Sequence, residues 1–530
     1  MRSPHDLGLP YADWRAGQRL ALRTILHAKT PYIIINAPTG SGKSAIAAAL
    51  PRLQPDLRHV TLTATKALQE QYELFPFLTD LRGASNYPCR AALSEFKEWF
   101  PVRTRGTVKC DDGPCHIGLP CDLKNDGCEY YDARRAFIAS GSGITNYAAW
   151  IMNRLVGQGL GVADRLICDE AHELIEQLCG ACRVDIPHYL VDSWKVPKGW
   201  RAWRRWAEER LQMMAQGSDH DHRVKRERLE RSLKMLMTMD DSWAMDQDDL
   251  GFHFEPTVPR ELLPLLQTFP APDDISDSPK DGAMRIPQHP AYVVLLSATI
   301  TPSVLEAIGV APADVTYHEM RSSFDPKSRP VYFVPGVRAD YRSMQDTQRQ
   351  EQFIATIDEI CHEREDRRGL IHGVSFSRCR FIYERSTQQA RMVLHEARTP
   401  AAQAVERFRN AGPRAILVSP SVMTGFDFPG DDARFQILPK LPFPDTRSNI
   451  TKARIRSTPR YRDLHTMTKF VQACGRINRA ADDWGETFVT DEHVGWWYRD
   501  NRDLAPDWFD EAIVQTRRHI PAMRIGITNG

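Results

Sequence analysis

Short apolar runs recur along the chain, each closed by turn residues and followed by a stretch with helical spacing. Residues 31–36 (PYIIIN) predict a buried strand, 37–43 a turn, and 44–50 (SAIAAAL) a helix stopped at Pro51. Further strands are predicted at 59–65, 144–146, 165–169 and 293–299. Strands alternating with helices indicate a parallel sheet covered on both faces. The series is broken twice, by a cysteine-bearing stretch at 85–146 and by a Trp-, Arg- and Asp-rich stretch at 181–285, which read as insertions into one α/β domain. In the second, Trp203, Ala207 and Met214 mark one apolar stripe and Leu229, Leu233 and Leu236 another. This predicts a helical hairpin turning at 217–222, with His220 and His222 in a solvated loop. A second α/β series begins near Arg329, with strands predicted at 369–376, 391–395, 415–421, 435–441 and 487–491. Residues 321–330 read as the linker between the two.

Length and composition fit this picture. A chain of 530 residues, 42% hydrophobic and 26% charged, has room for three or four domains and is neither disordered nor fibrous. The longest apolar runs, Tyr32–Ile35 and Tyr292–Leu296, are far short of the ~20 residues of a membrane helix. The N-terminus lacks a signal-peptide core, so a soluble, cytoplasmic protein is expected. The net charge of +1 does not exclude nucleic acid, because local charge decides that binding. Residues 194–236 carry a balance of +6 and residues 237–285 one of −8, suiting either a basic face towards a polyanion or solvated helices and an acidic loop.

Three stretches carry chemistry. Ala37-Pro-Thr-Gly-Ser-Gly-Lys43-Ser44 is a phosphate-binding loop between a strand and a helix. Gly40 and Gly42 let backbone N–H groups close on phosphate oxygens, Lys43 reaches the β/γ-phosphates, and Ser44 ligates Mg²⁺. Leu166-Ile-Cys-Asp169-Glu170-Ala-His172 ends a strand on two carboxylates, Asp169 for Mg²⁺ and Glu170 to orient the attacking water. Gln472-Ala-Cys-Gly-Arg476-Ile-Asn-Arg479 predicts one helix face bearing Gln472, Arg476 and Arg479, able to point guanidiniums at a γ-phosphate across a domain cleft. A solvated basic face is the plainer alternative.

Five of the eleven cysteines, Cys89, Cys110, Cys115, Cys121 and Cys128, fall within forty residues. In an intracellular chain such a cluster points to metal rather than disulfides. Cys179-x-x-Cys182 reads as a chance pairing on a helix.

In that order, APTGSGKS, DEAH, Ser297-Ala-Thr299 and QACGRINR resemble the superfamily 2 helicases. The match is narrowed by 419–430 with Thr424, Gly425 and Asp427, by LPFP at 441–444, by Arg15-Ala-Gly-Gln18, and by NYPC (86–89) and CEYY (128–131). Together these resemble the iron–sulfur DNA helicases of the XPD/DinG type. The resemblance implies two RecA-like parallel-sheet motor domains in an α/β fold, the first carrying an iron–sulfur insertion and a mostly helical arch insertion. The implied organisation is motor domain 1 at 1–84, 147–180 and 286–320, the cluster insertion at 85–146, the arch at 181–285, and motor domain 2 at 321–530. It also implies adenine contacts from Arg15 and Gln18, a nucleotide contact from Asp427, and a [4Fe–4S] cluster on Cys89, Cys115, Cys121 and Cys128. Cys110 is then a spare, with 110-for-115 open, and zinc or unligated thiols compete. Trp200, Trp203 and Trp206, interleaved with Arg201, Arg204 and Arg205, suit either DNA stacking or a hairpin core.

The expected activity is that of a monomeric ATP- and Mg²⁺-dependent helicase moving 5′→3′ on single-stranded and forked DNA. A translocase that strips protein or opens R-loops is an alternative, as is a non-catalytic metal-bearing subunit.

Overall fold

The computed structural model describes the chain except residues 39, 94–107, 118–119, 156–158, 192–194, 215–228, 231, 259–261, 263–265, 267–291, 323–324, 341, 422–425, 478–482 and 516–530. Two seven-stranded sheets, parallel throughout, organise it. Edge to edge, the first runs Val315–Glu319, Tyr32–Asn36, Tyr292–Ser297, Arg165–Asp169, His59–Thr63, Ser142–Asn146, Thr79–Asp80. The second runs Met392–Leu394, Ile416–Ser419, Gly369–His372, Phe435–Leu438, Glu486–Asp491, Val331–Val337, Ile513–Gln515. Their central strands are apolar on both faces: Ile33, Ile34 and Ile35, Val293 to Leu296, and Leu370 with Ile371 are all buried. That continuous burial is why these runs do not alternate as a half-solvated strand would. Val315–Glu319 and Val331–Val337 join the sheets from the stretch flanking the expected linker, the first as a partly polar edge strand and the second between Glu486–Asp491 and Ile513–Gln515. No helix among the described residues is long and apolar enough to cross a membrane.

The second insertion contains more than a helical hairpin. Val184–Pro187, Gly251–Pro256 and Trp243–Gln247 form a three-stranded antiparallel sheet against the helix Trp200–Met214. Trp203 and Ala207 on that helix and Leu233 and Leu236 opposite close one core with Phe252 and Phe254. Trp203 meets the Phe254 ring edge-on at 4.8 Å, so this tryptophan is core. Arg201, Arg204 and Arg205 are exposed. The proposed turn at 217–222, with His220 and His222, lies outside the described residues, as does the Met214 side chain. The sheet also docks on the second domain. Asp246 accepts hydrogen bonds from Ser448 Oγ at 2.5 Å and the Asn449 N–H at 2.6 Å, and Glu255 pairs with the buried Arg454.

Two buried histidines make the fold acid-sensitive. Burial holds His59 and His372 neutral, each pushed down to about 4, and His59 Nε2 and His372 Nδ1 have no hydrogen-bond partner. The unfolded chain binds these protons near 6.5, the ordinary value of an imidazole. Stability is therefore unaffected above that pH and falls as pH drops towards 4. By linkage each site costs about 2 kcal/mol at about pH 5. Thermal unfolding at about pH 7.5 and 5 checks this: His372→Gln should flatten the pH dependence, and an unchanged slope would show that His372 is not a source.

Candidate nucleotide site between two parallel sheets

The phosphate loop leaves the carboxyl end of Tyr32–Asn36 and enters the helix Lys43–Leu53. Gly40 and Gly42 have φ of 78° and 83°, a left-handed backbone that favours glycine. Position 42 is also closed sterically, since a Cβ there would lie 2.4 Å from Gln18 Nε2. Gln18 is buried and donates to the carbonyls of Ser41 at 2.9 Å and Gly42 at 3.1 Å, while Arg15 donates to the Gly40 carbonyl. Both side chains thus brace the loop from behind. The Ala37 N–H donates to the Ser297 carbonyl at 2.7 Å, tying the loop's start to the SAT stretch.

Asp169 ends the strand Arg165–Asp169, at the edge where parallel α/β sheets place their ligands. Burial and the neighbouring Glu170 charge push its carboxyl up to about 6, against Lys43 and Tyr72. Glu170 follows at φ 50°, a strained left-handed conformation for a residue with a side chain. Burial opposes its ionisation, but Lys43, His172 and Arg476 outweigh that and hold it below the usual carboxylate range. Lys43 Nζ stands 3.8 Å from Glu170 Oε1, so the loop's ammonium and the carboxylate after the strand tip face each other.

His172 joins the two domains. Its Nδ1 lies 2.9 Å from Ser297 Oγ and 3.3 Å from Glu170 Oε2, and its Nε2 accepts a hydrogen bond from the Gln472 amide. The helix Tyr461–Cys474 supports that contact along its length. Tyr461 and His465 reach Glu176 at 3.3 and 3.2 Å, and Lys469 pairs with Glu173 at 3.8 Å.

The structure corrects one geometric expectation. The helix stops at Cys474, where the Gly475 N–H returns to the carbonyls of Val471 and Gln472. Arg476 therefore departs from the following turn, not from the helix face that carries Gln472. Its Nη1 pairs with Asp427 Oδ1 at 3.2 Å and donates to the Phe426 carbonyl. Arg479, Thr424 and Gly425 lie outside the described residues.

Tyr72 was not legible as a site residue. It follows the helix Lys66–Gln71 in an otherwise ordinary sequence, yet its buried hydroxyl donates to Asp169 Oδ2 at 2.8 Å. The residues fit a nucleotide with Mg²⁺: Ser44 and Asp169 offer a hydroxyl and a carboxylate, and among the described residues Ser41 Oγ and Gln472 Oε1 are buried without a hydrogen-bond partner.

The cysteine-bearing insertion brings its thiols into one neighbourhood. The Cys89 N–H donates to the Val108 carbonyl and the Cys110 N–H to the Tyr87 carbonyl, a two-rung ladder that sets Cys89 beside Cys110. Both are buried, and Cys110 Sγ lies 3.9 Å from Cys128 Sγ. Hydrogen bonding to Cys110 lowers the Cys89 thiol to about 7, against burial. A Cβ at Gly113 would come within 2.7 Å of Cys89 Sγ. Cys115 senses Cys121, Cys128 and Cys89 electrostatically and hydrogen-bonds Tyr131. Among the described residues, no group of three His, Cys, Asp or Glu side chains is placed to hold a metal ion. Cys179 and Cys182 are buried, with thiols pushed up by burial to about 12 and 11, so they are unreactive.

Residues 357–512 match the family described as helicase C-terminal domain. No curated protein sequence matches the chain. Among solved structures, one titled as an XPD helicase aligns with 94% of this chain and 98% of its own, at TM-score 0.58 and 14% identity. A structure titled as apo XPD aligns with 94% and 99%, at 0.56 and 11%. Xpd4 of S. tokodaii aligns with 94% and 98%, at 0.53 and 14%. With its two parallel sheets, the chain is similar in fold to these XPD structures, and its second sheet lies largely within the residues that match a helicase C-terminal domain.

Proposed function

We propose that the chain is an ATP- and Mg²⁺-dependent DNA helicase that moves along single-stranded DNA, 5′→3′ by its family resemblance. The observation that carries the reading is the cross-domain bridge from Gln472 to His172, beside the facing Lys43 and Glu170. A phosphate held by the loop would sit where both domains sense it. Lys43 neutralises charge developing on the transferred phosphoryl group, Ser44 and Asp169 would hold Mg²⁺, and Glu170 orients water. Gln472 and the arginines beyond it report closure. DNA-stimulated ATPase, followed by strand displacement on forked DNA and on RNA–DNA hybrids, tests the reading. ATP turnover indifferent to nucleic acid would refute it.

Arg476 and Arg479 are proposed to serve the γ-phosphate after closure. Arg479→Ala should lose about 10³-fold or more in hydrolysis while ATP affinity changes little, because a finger acts in the transition state. Equal losses in both would assign it to ground-state binding.

Residues 85–146 are proposed to hold a [4Fe–4S] cluster. Cys89 and Cys128 are retained as ligands, and contact with both of them favours Cys110 over Cys115 for a third place, with Cys121 as the fourth. Bound there, the cluster would supply iron–thiolate cross-links to a segment whose described residues before the sheet strand Ser142–Asn146 form short 3₁₀ turns and the helix Glu129–Ala139. Residues 181–285 would act as the arch, with Arg201, Arg204 and Arg205 as candidate phosphate contacts.

A further inference from the structure

We infer that Tyr72 is a positioning residue for the divalent cation, an inference that rests on reading Ser44 and Asp169 as the Mg²⁺ pair. These two residues come from segments far apart in sequence, the start of the helix Lys43–Leu53 and the tip of the strand Arg165–Asp169. Neither neighbour in sequence fixes their separation. The Tyr72 hydroxyl fixes the Asp169 side of the pair, donating to Asp169 Oδ2 at 2.8 Å. The other carboxylate oxygen, Oδ1, accepts the Glu170 N–H at 3.0 Å, so each oxygen of Asp169 is held by one hydrogen bond and keeps a lone pair for a cation. The Asp169 carbonyl is held in turn by the Tyr147 hydroxyl at 3.0 Å.

The tyrosine is itself fixed. It is 2% exposed, sits in the turn Tyr72–Leu74, and packs edge-on against Phe75 with ring centroids 5.8 Å apart. A small cation demanding near-ideal octahedral geometry gains most from ligands held at the right spacing. Groups that orient metal ligands through hydrogen bonds are typically worth 10–100-fold in metal affinity. The hydroxyl therefore acts through Asp169, while the phosphate loop is braced by Gln18 and Arg15.

Tyr72→Phe removes one oxygen and leaves the ring packing. The full-length protein is titrated with ADP by calorimetry without divalent metal, and then with Mg²⁺ in the presence of ADP. The expected result is unchanged metal-free ADP affinity with Mg²⁺ affinity weakened about 10-fold or more. Mn²⁺, titrated by its EPR signal, should show the same loss. Unchanged Mg²⁺ and Mn²⁺ affinities would overturn the role. Equal loss of metal-free ADP binding would also overturn it, showing that Tyr72 only supports the loop. If wild-type protein binds ADP with no Mg²⁺ dependence, the cation pair itself is misassigned and the nucleotide reading fails first.

Discussion

Lys43→Ala is expected to reduce ATP hydrolysis by at least about 10²–10³-fold, the usual cost of removing one preorganised charge-stabilising donor. Lys43 opens the helix behind the phosphate loop, and its Nζ lies 3.8 Å from Glu170, poised where β/γ-phosphate charge would develop. The loop geometry rests on Gly42, Gln18 and Arg15, none of which the substitution touches, so the fold should survive. Glu170→Gln should fail differently. It keeps the volume and leaves Ser44 and Asp169 in place, so ATP should bind and remain unhydrolysed. It also exchanges a charged partner of Lys43 and His172 for a neutral one, which should leave ATP affinity equal or higher. Single-turnover hydrolysis and equilibrium ATP binding on both variants check this. Near-normal turnover by either would remove the site from the reaction.

Cys128→Ser is expected to strip the cluster and with it strand separation, while sparing nucleotide binding and part of the ATPase. Cys128 precedes the helix Glu129–Ala139, and its sulfur lies against Cys110, so it joins the ladder at Cys89 and Cys110 to the helix beyond. Without that link the insertion should open locally. The two seven-stranded sheets have buried strands of their own and should remain folded. Anaerobically purified wild type should be brown, with about four iron and four sulfide per chain. Iron content of Cys110→Ser and Cys115→Ser then decides the third ligand: loss in the former and retention in the latter supports the contact seen here. A colourless protein with stoichiometric zinc would overturn the cluster.

Much was legible because it is local. The strand–loop–helix at 31–53 is written in consecutive residues, and so is the strand that ends on Asp169 and Glu170, since period, glycine placement and chain order specify them without distant partners. The positions of the two sheets' central strands follow for the same reason: a strand buried on both faces is a continuous apolar run. The edge strand Val315–Glu319 was missed because its identity comes from pairing with a neighbour, not from an apolar run, and the apolar run of Val331–Val337 is interrupted by Pro335 and Gly336.

Other features needed the third dimension. The antiparallel sheet in the second insertion hides among acidic residues such as Asp246 and Glu255, which are kept there by Ser448 and Arg454, about 200 positions away in the chain. The end of the motif helix at Cys474 moved Arg476 off the face that sequence periodicity assigned to it. Tyr72 carries no signature at all, and becomes a site residue only because folding brings its hydroxyl onto Asp169. The ladder that sets Cys110 beside Cys89, with its sulfur 3.9 Å from Cys128 Sγ, likewise could not be read from spacing. Sequence alone determined which groups could do phosphate chemistry, since that depends on residue type and local backbone. Tertiary structure decided which of them meet, since those contacts depend on segments that sequence order leaves far apart.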